Sequence, residues 1–114
     1  MKIYTGTRYR IGTQVQVTPE LGGKFPARYG KYNTYYELAT RTDLRDHSRG
    51  GFEWGYAGSG PAQLALAILA DAVGDDIAQV HYQSFKRDII QYFKGNRWQI
   101  NSDMVKEYVQ AQTK

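Results

Sequence analysis

Gly51 to Gly74 reads GFEWGYAGSGPAQLALAILADAVG, and this stretch decides the fold. It joins an aromatic strand-like run, a glycine-rich turn and one very apolar helix. Pro61 is expected at the first helical position, where a missing N–H costs nothing and the ring presets a helical φ. From Ala62 to Val73 only Gln63 and Asp71 are polar. They are eight residues apart with Ala67 midway, so all three share one side of the helix. A helix apolar on nearly every other side must be surrounded, which makes it the central helix of the domain. Gly74 is expected as its C-terminal cap with positive φ.

The chain has 114 residues, the size of one domain with one modest core. It contains no cysteine, which removes disulfides, thiolate zinc sites and cysteine nucleophiles together. The most apolar stretch, Pro61–Val73, is far short of the roughly 20 residues a membrane span needs. Met1–Gly6 has no long apolar stretch of the signal-peptide kind, so a cytoplasmic location is expected.

The net charge of +4 is unevenly placed, with +5 on residues 1–49 and −1 on residues 50–114. Six of the ten tyrosines (Tyr4, Tyr9, Tyr29, Tyr32, Tyr35 and Tyr36) also fall in the first 36 residues. Within a single domain spanning 1–114, the basic tyrosine-rich part is therefore read as the outward-facing half. The second half is read as the supplier of the core.

Lys2–Thr5 reads as a first strand broken by Gly6, and Thr13–Val17 alternates polar and apolar residues as a half-buried strand does. The two form a hairpin with its loop around Arg8–Gly12. Glu20–Tyr36 shows no sustained period and reads as a long loop, of the kind that is usually functional in a small domain. Tyr35–Thr42 returns toward a strand. Phe52, Trp54 and Tyr56 share one face if extended. Asp75 and Asp76 open a second helix, expected to run to about Phe93 with Ile77, His81, Phe85, Ile89 and Phe93 on one face and Tyr82 and Tyr92 beside them. Trp98–Ile100 is a short strand, and Asn101 or Ser102 caps a last helix from Asp103 to about Ala111. Strands first and helices second predict an α+β fold: a small antiparallel sheet packed against a buried central helix and one or two further helices.

The motif GFEWGYAGSGPAQLALAILA, the approach Leu44-Arg45-Asp46-His47-Ser48, and Tyr82–Lys86 with Trp98-Gln99-Ile100 resemble a small uncharacterised prokaryotic and phage domain family of unknown function. The resemblance covers roughly residues 40–110. It brings no catalytic residues, and it implies a phage or mobile-element context.

Candidate sites are few. Gly58, Ser59 and Gly60 form a candidate anion-binding turn, because free N–H groups at a helix start face outward. They lack the Gly-Lys-Ser/Thr ending of a P-loop, and small residues at a sharp turn also serve close packing against Trp54 or Tyr56. Ser59 fails the nucleophile-elbow pattern, since Ala57 and Pro61 stand where glycines are needed. Asp43, Asp46, His47 and Glu53 form a dense cluster of ligand-type residues, but their spacing matches no ligand frame, so no metal or cofactor is expected. His47 is read as tying its loop down by hydrogen bonds, and His81 as a packed core histidine.

Lys24, Phe25, Arg28, Tyr29, Lys31, Tyr32, Tyr35 and Tyr36 interleave cations with aromatics. Protein hot spots use such residues, and single-stranded nucleic acid is held by them too. No signature of a known nucleic-acid module is present, so the leading expectation is a non-enzymatic protein that binds and occludes a protein partner. An inhibitor of a host defence nuclease, of the anti-CRISPR kind, fits the size and the phage context. A nucleic-acid-binding accessory protein using the same loop is the alternative. A small-ligand binder or enzyme at the Gly58–Pro61 turn, with Asp46 and His47, is the weaker one.

Overall fold

In the computed structural model, residues 1–19 and 35–113 are described. The first hairpin pairs β1 (Ile3–Tyr9) with β2 (Gly12–Thr18) through a two-residue turn at Arg10-Ile11. β1 does not stop at Gly6. Gly6 lies opposite Val15 on one side and Trp98 on the other, and a methyl group there would overlap the Trp98 indole. The glycine is there so that the ring can lie on the strand, which is packing and no interruption of pairing.

β3 is only Tyr36–Glu37, paired with Val17 and Gln16. One further bond, Leu38 N–H to the Val15 carbonyl at 2.9 Å, extends the contact before the chain turns away. The predicted return to a strand over 35–42 is thus much shorter. β4 (Arg97–Asn101) joins the other edge, antiparallel to β1, giving the order β3-β2-β1-β4. The sheet therefore takes strands from both halves of the chain, and Tyr4, Val15 and Val17 of the basic half lie in the core.

Central helix α1 (Ser59–Val73) starts two residues before Pro61, with Gly58 as its N-cap. Pro61 is the third helical residue. That is still within the first turn, where no N–H is demanded of it. Every residue from Gly60 to Ala70 is buried, as a helix apolar all round requires. At Gly74, φ is 98°, and its N–H bonds to the Ala70 carbonyl at 3.1 Å. The same glycine begins α2 (Asp75–Asp88), so α1 and α2 form a tight helical hairpin.

α2 ends five residues before the predicted Phe93. Ile89 leaves helical geometry at φ −124°, and Ile90–Tyr92 forms a 3₁₀ turn. The tightening turns Ile90 fully inward and lets its carbonyl accept from Gly55 N–H at 3.2 Å. It also brings Phe93 onto Trp98, with ring centroids 4.7 Å apart. The buried stripe of α2 is Ala78, Tyr82 and Phe85; Ile77 is 43% exposed and His81 only half-buried, contrary to the predicted face. Asn101 caps α3 (Ser102–Gln112) by accepting from Met104 N–H at 2.9 Å, as its sequence implies.

Among the described residues the architecture is α+β, with four antiparallel strands and three α-helices. Phe52 and Trp54 enter the core as the alternation suggests. Tyr56 does not: Gly55, at φ 90°, breaks the alternation and leaves Tyr56 51% exposed. Among the described residues, no helix is long and apolar enough to cross a membrane.

Candidate functional site

The two polar residues in the body of α1, Gln63 and Asp71, tie other segments to the helix, Gln63 the loop after β3 and Asp71 the sheet. Gln63 is fully buried, and its side chain makes three hydrogen bonds. Its carbonyl oxygen accepts from the backbone N–H groups of His47 at 2.8 Å and Ser48 at 3.1 Å. Its amide donates to the Thr40 carbonyl at 2.5 Å. A buried amide is stable only when satisfied in this way, so a polar side chain in the most apolar helix positions the 40–48 loop. His47 adds a second tie through Nε2, 2.7 Å from the Tyr82 hydroxyl.

Two turns further along α1, Asp71 collects three donors from the sheet. Lys2 Nζ lies 3.0 Å and the Tyr4 hydroxyl 2.7 Å from Oδ1, and the Tyr36 hydroxyl lies 2.6 Å from Oδ2. Burial alone would raise the Asp71 carboxyl; the bonds from Tyr36, Tyr4 and Lys2 outweigh it and hold the group below the usual carboxylate range. Burial and the Asp71 carboxylate push the Tyr4 phenol far above its ordinary value. Lys2 also sits over the Tyr36 ring, 5.8 Å from its centroid. β1, β3 and α1 are thereby joined through one carboxylate.

Ala67 and Asp71 form one wall of a half-open pocket of about 150 Å³, lined on its other sides by Tyr36–Ala39 and Arg41. A second, of about 160 Å³, lies on the other side of Leu38, between β2, Thr40 and Phe52. Arg41 guards the first. It bonds Asp75 through both terminal nitrogens, at 2.9 and 2.8 Å, and Asp43 at 3.0 and 3.1 Å. These bonds, from Asp75 first and then Asp43, raise the Arg41 guanidinium further and lower both carboxyls. Arg41 is held at φ 57°, a left-handed conformation uncommon for a residue with a side chain.

Of the residues singled out for partner binding, Lys24, Arg28, Tyr29, Lys31 and Tyr32 lie outside the described residues. The two that are described divide sharply: Tyr36 is anchored on Asp71, while Tyr35 beside it is 56% exposed. At the Gly58–Gly60 turn, both glycines face neighbours. A methyl group on Gly60 would come within 2.7 Å of Glu53 Cβ, and one on Gly58 within 2.5 Å of the Tyr56 ring. Ser59 is exposed.

The acidic cluster is dispersed. Asp43 is paired with Arg41, Asp46 with Arg49, and Glu53 with Arg8 at 2.7 Å; His47 meets Tyr82. Among the described residues no three His, Asp or Glu side chains gather as metal ligands would.

The convergence of Lys2, Tyr4 and Tyr36 on Asp71 is not visible in the sequence, because the partners come from three elements. The signal that exists is the isolated carboxylate in an apolar helix, which requires donors from somewhere. Arg8 is similar: it stacks on the Trp54 ring at 4.6 Å and bonds Gly95, Asn96, Glu53 and Trp54, joining three segments.

Neither the curated proteins nor the solved structures contain a match to this chain. A family model does match, and over residues 4–111 it spans more of the chain than the 40–110 resemblance read from the motifs. Covering both the Asp71 junction and the glycine-turn helix, that match places the chain in the family of unknown function DUF6166.

Proposed function

We propose that the protein is a non-enzymatic binding protein of phage or mobile-element type, acting by occluding a partner protein. The observation that carries this reading is the contrast between Tyr35 and Tyr36. The basic, tyrosine-rich stretch ends at a residue locked to the central helix through Asp71, and the tyrosine just before it stands out in solvent. A fixed anchor next to an exposed ring suits recognition, since pre-organised aromatic side chains bind with little entropy to lose. The working residues on this reading are Lys24, Arg28, Tyr29, Lys31, Tyr32 and Tyr35, with Tyr36 as the anchor. Asp43, Asp46 and Glu53 are each engaged by an arginine, which favours a scaffold over a catalytic centre. The phage or mobile-element context implied by the resemblance of the Gly51–Ala70 motif would make a host defence nuclease a fitting target, of the kind that anti-CRISPR inhibitors block.

The test is capture from host lysate on the immobilised protein, with nuclease treatment and identification of what is retained. A specific protein surviving nuclease supports the reading. Recovery of nucleic acid alone, lost at moderate salt and lost in the Tyr29/Tyr32/Tyr35 triple alanine variant, would replace it with a nucleic-acid role for the same segment.

A further inference from the structure

The sheet has two faces, and only one is used by the core. The strand register places Tyr4, Gly6, Val15, Val17 and Trp98 toward the helices. The opposite face carries Thr5, Thr7, Gln14, Gln16, Arg97 and Gln99, and the β1 row runs from Ile3 at one end to Tyr9 at the other. Tyr9 is 54% exposed, and Arg97 and Gln99 are exposed. Thr7 pairs with Arg97, so Tyr9 is the diagonal neighbour of Arg97, with side chains starting roughly 7–8 Å apart.

We propose that this outer sheet face binds single-stranded nucleic acid, with Tyr9 as a stacking ring and Arg97 meeting phosphate. Three observations select this occupant. Cations gather at the Tyr9 end: Arg10 in the hairpin turn and Lys94 in the turn before β4 are exposed, and neither they nor Arg97 forms an ion pair among the described residues. Two hydrogen bonds hold that end together: Arg8 N–H donates to the Asn96 carbonyl at 2.7 Å, and the Arg8 guanidinium donates to the Gly95 carbonyl at 3.0 Å. The middle of the face is built from neutral amides and hydroxyls, which both donate and accept, as base edges demand. A protein hot spot would centre on apolar or aromatic anchors, and this face has none at its middle. Among the described strand residues on this face the acid is Glu37, which lies at the far edge and accepts from Gln14 at 2.9 Å. Stacking on a ring with cations on the backbone is the general mode by which single strands are held.

The experiment is fluorescence anisotropy with a labelled oligothymidylate of about 20 nucleotides at about 50 mM salt. Tyr9→Ala and Arg97→Gln are each expected to weaken binding about tenfold. Arg97→Gln should also lower the salt slope by about 0.7. Both side chains are exposed, so melting temperature should hold, which separates lost contact from lost fold. The Tyr29/Tyr32/Tyr35 triple alanine variant should bind the oligonucleotide as well as the wild type does. Absence of binding at low salt, or binding indifferent to both sheet variants, would overturn the proposal. So would loss of oligonucleotide binding in the triple variant. A polyglutamate peptide bound as tightly as the oligonucleotide would overturn it in favour of an acidic protein segment.

Discussion

The Tyr36 hydroxyl donates to Asp71 Oδ2 at 2.6 Å, joining the two-residue edge strand to the buried central helix. With so little pairing of its own, β3 depends on this bond and on the Lys2 and Tyr4 contacts to the same carboxylate. Tyr36→Phe should cost about 1 kcal/mol, the low end for a hydrogen bond to a charged group because the ring is 39% exposed. Asp71→Ala should cost more, about 2–3 kcal/mol, because it strands the buried Tyr4 hydroxyl. Urea unfolding of both variants checks the order.

Acid should weaken the same junction. The folded Asp71 carboxyl lies below its unfolded value, so its contribution is complete above about pH 4 and is lost as pH falls through the folded value. Asp43 and Asp75 shift in the same direction, so the comparison has to be between proteins. Wild type should lose more stability between about pH 5 and pH 2 than Asp71→Asn does. Tyr4 works at the other end. Its raised phenol contributes below about pH 10, and that part is lost as pH rises further.

Gly6→Ala should be among the most damaging small changes in the sheet, at about 3 kcal/mol. The Trp98 indole it would strike has no room to retreat. Phe93 is stacked on one side at 4.7 Å, and Trp54 meets it edge-on at 5.6 Å. Gly58→Ala offers the contrast, since the exposed Tyr56 ring can swing away, and thermal melts should show a much smaller loss.

These positions also mark how far the sequence could be read. Periodicity and punctuation sufficed for the apolar body of α1 and its stop at Gly74, for a cap at Asn101 or Ser102, and for β4, because each is written in neighbouring residues. Gly6 was misleading, since its reason for being glycine is a tryptophan 92 positions away. The end of α2 was equally hidden: Ile89 to Phe93 keeps a helical pattern, yet Ile90 and Phe93 turn to meet Gly55 and Trp98. The Tyr-rich segment was legible as unusual chemistry. That Tyr36 is an anchor while Tyr35 is exposed depends on strand register, which composition does not encode.

Gln63 should prove structural in a particular way. Gln63→Leu fills the same volume but leaves the His47 and Ser48 amides without their acceptor, at about 2–3 kcal/mol. Hydrogen exchange should show these two amides losing protection beyond what the global loss of stability explains, because the 40–48 loop is released first.

The most direct measurement on binding takes the Tyr29/Tyr32/Tyr35 triple alanine variant through melting and lysate capture beside the wild type. The expected result is a melting temperature within a degree or two of wild type and loss of the nuclease-resistant protein that the wild type retains. A large drop in melting temperature, or the same protein retained by both, would contradict a tyrosine surface that binds a partner independently of the core.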